Sequence, residues 1–79
     1  MNKNNLPALI VEILKSNGGV STRREIGRKV RVVVERLCDP ADDFNMTYYY
    51  DLGWAQTELA KLSTVFTRKV GNKSEWYLV

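Results

Sequence analysis

Two short runs rich in β-branched and aromatic residues close this chain: Thr64-Val65-Phe66-Thr67-Arg68-Lys69 and Ser74-Glu75-Trp76-Tyr77-Leu78-Val79, with Gly71-Asn72 between them. Such side chains fit a pleated surface, and the glycine–asparagine pair supplies turn chemistry, so the runs predict an antiparallel hairpin. An isolated hairpin is marginal in water, which means the rest of the chain must cover its apolar face. Alternation puts Trp76 and Leu78 on that face and Glu75 and Tyr77 on the other.

The cover is predicted to be helical. Leu6, Leu9, Ile10, Ile13 and Leu14 recur at helical spacing from about Asn5 to Ser16. Pro7 falls in the first turn, where its missing N–H costs nothing, and Asn17-Gly18-Gly19 supplies a stop. Val20 and Ser21 then form an extended link that can pair with the hairpin as a third strand. Thr22-Arg23-Arg24-Glu25 has the spacing of a capping box, opening a second helix that runs to about Leu37. Its expected buried stripe is Ile26, Val30, Val33 and Leu37. Asp39-Pro40 breaks the chain, because the residue before proline disfavours helix. A polar loop from Asp39 to Met46 carries three of the nine acids. The third helix is predicted from about Thr47 to Leu62, with Tyr48, Leu52, Ala55, Leu59 and Leu62 facing inward.

Three helices followed by a C-terminal β-hairpin wing, with a short extra strand between the first two helices, give an α+β class fold. The order is that of a winged helix-turn-helix. A chain of 79 residues forms one domain, 1–79, and buries only about 60% of its unfolded surface, leaving little for a deep catalytic pocket. With no histidine, the usual general base and metal ligand is missing. A single cysteine, Cys38, excludes an internal disulfide and a cysteine-rich zinc site. Asp42 and Asp43 lack further ligands nearby and read as solvated loop residues. No glycine-rich phosphate loop is present. The expectation is a non-enzymatic chain that needs no cofactor and no metal. The lone thiol and the lack of any leader or membrane-spanning run predict a cytoplasmic protein with no membrane partner.

Charge distribution carries the functional signal. Net charge is +3, from 12 basic and 9 acidic residues, and six of the 12 lie between Arg23 and Arg36. Helical projection places Arg24, Arg28 and Arg31 on one face of the second helix, opposite the Ile26 stripe, with Arg23 adjoining. Arg24 and Arg28 form a like-charge i,i+4 pair, which is unfavourable unless an anion lies against it. The planar guanidinium fork suits phosphate. Arg68, Lys69 and Lys73 gather at the hairpin tip, where they can follow a nucleic-acid backbone or discourage strand aggregation. On the third helix Tyr50, Thr57 and Lys61 face outward and can meet base edges. Tyr49, Tyr50 and Trp54 form an alternative feature, an aromatic patch of the kind found at protein interfaces.

The same residues resemble a known family. Ile13-Leu14-Lys15-Ser16-Asn17-Gly18-Gly19, followed by Ser21-Thr22-Arg23-Arg24-Glu25-Ile26, is similar to the start of the N-terminal domain of Mrr-type restriction endonucleases. Leu52-Gly53-Trp54-Ala55, Leu59-Ala60-Lys61, the Gly71 turn and Trp76-Tyr77-Leu78 resemble the second half of that domain. The resemblance implies a winged-helix module that binds double-stranded DNA and delivers a separate nuclease domain, attached or associated, to it. The chain is then the N-terminal module of a longer enzyme or a stand-alone relative. Two positions depart from the pattern: Asp51 stands where a basic residue is common, and Ser63 where a glycine usually follows the third helix.

The residues and the resemblance together predict a non-catalytic DNA-binding domain, the target-recognition module of a restriction endonuclease or related DNA-processing protein. Its expected DNA contacts are Arg23, Arg24, Arg28, Arg31, Tyr50, Thr57, Lys61, Arg68, Lys69 and Lys73. Two other readings stay open: a protein-interaction module acting through the aromatic patch, and a small free-standing transcription regulator.

Overall fold

The computed structural model describes all residues, 1–79. A 3-10 turn at Lys3–Asn5 leads into α1 (Leu6–Ser16), β1 (Val20–Thr22), α2 (Arg23–Leu37), α3 (Asp43–Lys61), β2 (Val65–Val70) and β3 (Lys73–Leu78). The three strands form one antiparallel sheet in the order β1-β3-β2, so this is an α+β fold with helices packed on a small sheet. No helix is long and apolar enough to cross a membrane.

Local chemistry explains the boundaries. At the end of α1, Gly18 takes φ +74° and the Gly19 amide donates to the Leu14 carbonyl at 2.7 Å, which closes a Schellman-type cap. The chain then enters β1, whose Ser21 lies opposite Trp76 on β3. Thr67 of β2 meets Trp76 from the other side, so this tryptophan sits at the middle of the central strand. Val70 and Lys73 close the hairpin, and Gly71 takes φ +61° while Asn72 does not have positive φ, the pattern of a type II′ turn.

Side chains from all three helices and two strands fill a single core. Leu6, Ile10, Leu14, Ile26, Val30, Val34, Leu52 and Val65 are the largest fully buried side chains, and Trp76 caps them from the sheet. Leu78 packs half-buried against this cluster while Glu75 and Tyr77 point to the other sheet face, as alternation requires.

Four details differ from the reading of the sequence. The third helix begins at Asp43, not Thr47, because the Asp42 side chain accepts from the Phe44 amide at 3.1 Å and caps it. Asp42 is therefore a helix cap and Asp43 a first-turn acid, and Phe44 belongs to the core. On α2 the buried stripe is Ile26, Gly27, Val30 and Val34, continued by Cys38; Val33 is half-buried and Leu37 is exposed. α3 packs along the Gly27 side of α2, where a Cβ would make ordinary contact, 3.6 Å from the Tyr49 ring and 3.8 Å from Leu52. The buried face of α2 lies toward that neighbour, and not along the line through Val33 and Leu37. Leu62, expected inward, lies past the last turn of α3 and is exposed. The capping box is only half formed. Thr22 Oγ1 accepts from the Glu25 amide at 3.2 Å, but the Glu25 carboxylate takes the Ser21 hydroxyl at 2.9 Å instead of the Thr22 amide.

Ser63 gives a direct prediction. Its φ is +55°, the left-handed position of a second Schellman cap in which the Thr64 amide donates to the Leu59 carbonyl at 2.9 Å and the Ser63 amide to Ala60 at 3.0 Å. A side chain is strained there, whereas glycine is not. Ser63→Gly is expected to stabilise the fold by about 0.5–1 kcal/mol, read as a higher urea midpoint with unchanged slope. A lower midpoint would show that the serine is held by something stronger than its backbone strain.

Candidate functional site

The rotation of α2 decides where its arginines stand. With the buried face turned toward Gly27, the row of Arg24, Arg28 and Arg31 does not point directly away from the core. It borders the seam with α3, where a shallow groove is lined by Arg24, Gly27, Arg28, Arg31, Tyr48 and Tyr49. β1 leads straight into α2 and pairs with β3, so the hairpin turn is brought beside the first turn of the same helix. Between them lies a cleft of about 520 Å³ lined by Arg23, Arg24, Arg28, Asn72, Lys73, Ser74 and Tyr49, with Thr22 and Glu25 at the helix start. Arg28 belongs to both concavities and to a third beside Asn17 and Lys29. It is the centre of the basic surface.

Pairing separates the expected contact residues into groups. Arg31 is held by Glu35 at 2.8 Å, Lys61 by Glu58 at 3.3 Å and Arg68 by Glu75 at 3.0 Å. The hydrogen bond and charge of Glu35 raise the Arg31 pKa still further above its ordinary value. Arg68 also lies over the Tyr77 ring, 5.1 Å from its centre. Arg24, Arg28, Lys69 and Lys73 have no carboxylate partner. The cleft's one acid, Glu25, is engaged by the buried Ser21 hydroxyl, which in turn accepts from the Asn17 side chain at 3.1 Å. Lys29 donates to the Asn17 side-chain Oδ1 and completes a network joining the end of α1 to α2.

The hairpin residues do not form one cluster. The register puts Arg68 and Lys73 on one face of the sheet and Lys69 on the opposite face, beside Ser74. Of the three, only Lys73 lines the cleft. Arg23 also departs from expectation. Its guanidinium lies 5.4 Å from the Tyr49 ring centre, its Nη2 reaches the Tyr49 carbonyl at 3.5 Å, and its Nε is buried without an acceptor. It is a bridge from α2 to α3 with unmet hydrogen-bonding capacity.

Along α3, Tyr50 is 81% exposed, as is most of neighbouring Met46, so this stretch is open to a partner. Tyr49 is half-covered by its place between Arg23 and Gly27. Trp54 packs half-buried against the core with the Lys3 ammonium 5.0 Å from its ring centre, which takes it out of the exposed patch. The Thr57 hydroxyl donates back to the Gly53 carbonyl at 3.0 Å, and Asp51 accepts from Thr47 at 3.0 Å.

Chemically, the cleft offers an anion three guanidinium groups from α2, of which those of Arg24 and Arg28 make no bond within the chain, and the Lys73 ammonium from β3. No group of three or more side chains is placed to hold a metal ion. Sequence reasoning missed Asn72 and Ser74, because only the β1–β3 pairing brings the hairpin turn to α2. No family model, curated protein or solved structure matches the chain.

Proposed function

We propose that this chain is a winged-helix domain that binds duplex DNA without catalysing a reaction, holding the sugar–phosphate backbone between α2 and the hairpin turn. The order of elements and the β1-β3-β2 sheet support the winged-helix reading, with α2 and α3 as the helix-turn-helix and β2–β3 as the wing. The observation that carries the function is the meeting of Arg24, Arg28 and Lys73 on one cleft without a carboxylate partner. A like-charge i,i+4 arginine pair left unpaired is unfavourable by itself and becomes favourable when a phosphate bridges it. The resemblance to Mrr-type N-terminal domains supplies the context of a recognition module serving a nuclease domain, and it rests on the quoted residues alone.

The test is a titration of labelled duplex at low salt, followed by fluorescence anisotropy. Saturable binding that weakens in the Arg24→Ala/Arg28→Ala variant supports the reading. Absence of binding to any duplex at low salt favours the protein-interaction reading, with the exposed Tyr50 and Met46 as the contact surface to mutate.

A further inference from the structure

Three of the five glycines have a reason in their backbone, and a fourth is buried between helices. Gly18, Gly19 and Gly71 take positive φ, and Gly27 lies under Tyr49 and Leu52. Gly53 is different. It occupies the interior of the 19-residue α3, where glycine is the poorest helix former after proline. A Cβ at that position would meet only the Nη2 of Arg23, at 3.8 Å, which is an ordinary contact with the movable end of a side chain. Nothing within the chain requires the bare backbone.

The atom that a Cβ would meet is itself informative. Arg23 reaches Gly53 with one long hydrogen bond, at 3.5 Å to the Tyr49 carbonyl, and a buried Nε that has no acceptor. A guanidinium carries five donors, and beyond the buried Nε those of Arg23 sit on terminal nitrogens that make one hydrogen bond within the chain. Tyr49, stacked against the same guanidinium, holds it in place. The surface at Gly53 thus combines a gap in the side-chain layer with a cation short of acceptors.

We infer that Gly53 marks the point of closest approach of a DNA backbone phosphate to α3, and that Arg23 supplies the donors which hold it. This rests on the duplex-binding reading above and adds a second contact point, on α3, to the cleft between α2 and the hairpin turn. Removing the side chain at 53 lets the phosphate reach the helix surface beside Arg23, where its oxygens accept from the terminal nitrogens of the guanidinium, the buried Nε lying out of reach. The phosphate sets the register of the duplex along α3, so that Tyr50 and Thr57 are presented to neighbouring nucleotides.

Gly53→Ala tests the inference without threatening the fold, since alanine is the better helix former and is expected to raise Tm by about 5 °C. The same variant is expected to bind duplex at least tenfold more weakly at low salt. The slope of log affinity against log salt should become shallower by about one, as for the loss of one phosphate contact. Arg23→Lys, which keeps the charge but loses the fork, should also weaken binding while remaining folded. A Gly53→Ala chain that binds as well as the wild type overturns the inference and leaves the α2 cleft standing. Weaker binding with an unchanged salt slope overturns the phosphate assignment. A wild-type chain that binds no duplex overturns both readings.

Discussion

Trp76→Ala is expected to cost about 3 kcal/mol or more of folding stability, the range for removing a large aromatic from a core. Trp76 is 2% exposed, lies opposite both Ser21 and Thr67, and is the point at which the central strand contacts the helices. A domain of this size has only about 5–10 kcal/mol of total stability, so the change removes a large share of it. The expected fall in Tm is about 12 °C or more. Tyr77→Ala provides the comparison from the adjacent residue. Tyr77 faces the outer side of the sheet, where it meets Phe66 at a centroid distance of 6.3 Å and carries Arg68 over its ring. Its loss should cost about 1 kcal/mol. If thermal unfolding shows the two substitutions to be equally mild, the sheet is not held to the helices through Trp76 and the placement of the core on β3 is wrong.

The contrast between Trp76 and Tyr77 was legible in the sequence, because period-two alternation in a strand packed on one side leaves no freedom about which residues face inward. The same holds for α1, whose apolar spacing, proline and glycine stop all agree. Legibility ended where a neighbouring element decided the outcome. Val33 and Leu37 fit the period of α2 as well as Val34 and Cys38 do. What selects the latter pair is where α3 packs along α2, and the period of one helix does not announce the position of its neighbour. Asp42 and Asp43 were read as solvated loop acids because Asp39-Pro40 made a break certain but gave no length for it. The cap on Phe44 shows that aspartate three residues after a break is as good a start signal as the later threonine.

The candidate site divides along the same line. Sequence spacing brought Arg24, Arg28 and Arg31 together, since they share one helix. It could not show that Arg31, Lys61 and Arg68 each already hold a glutamate. Surface pairs of this kind are weak, so they lower the availability of those cations without removing it. The separation of Lys69 from Lys73 follows from a register that the turn sets: the two-residue loop pairs Val70 with Lys73 on one face, and Lys69, one residue back, takes the other.

Arg24→Ala/Arg28→Ala is expected to weaken duplex binding by roughly 30-fold or more at low salt, taking about 1 kcal/mol for each charge-assisted contact. Both side chains are exposed, so stability should stay within about 0.5 kcal/mol of wild type, and relief of their mutual repulsion acts slightly in the variant's favour. Salt supplies the sharper reading. With about four to six phosphate contacts, wild-type affinity should fall by about two to three orders of magnitude over a fourfold rise in salt. The double variant should lose about two units of that slope. Binding that ignores a fourfold change in salt would remove the phosphate clamp altogether, and a variant that unfolds early would make the arginines structural. Asp51→Asn locates the duplex relative to α3. A carboxylate near phosphates is repelled, so neutralising Asp51 should strengthen binding to every duplex if α3 approaches the DNA. Unchanged affinity in Asp51→Asn, beside a large loss in the arginine variant, would place the duplex across α2 and the hairpin turn alone.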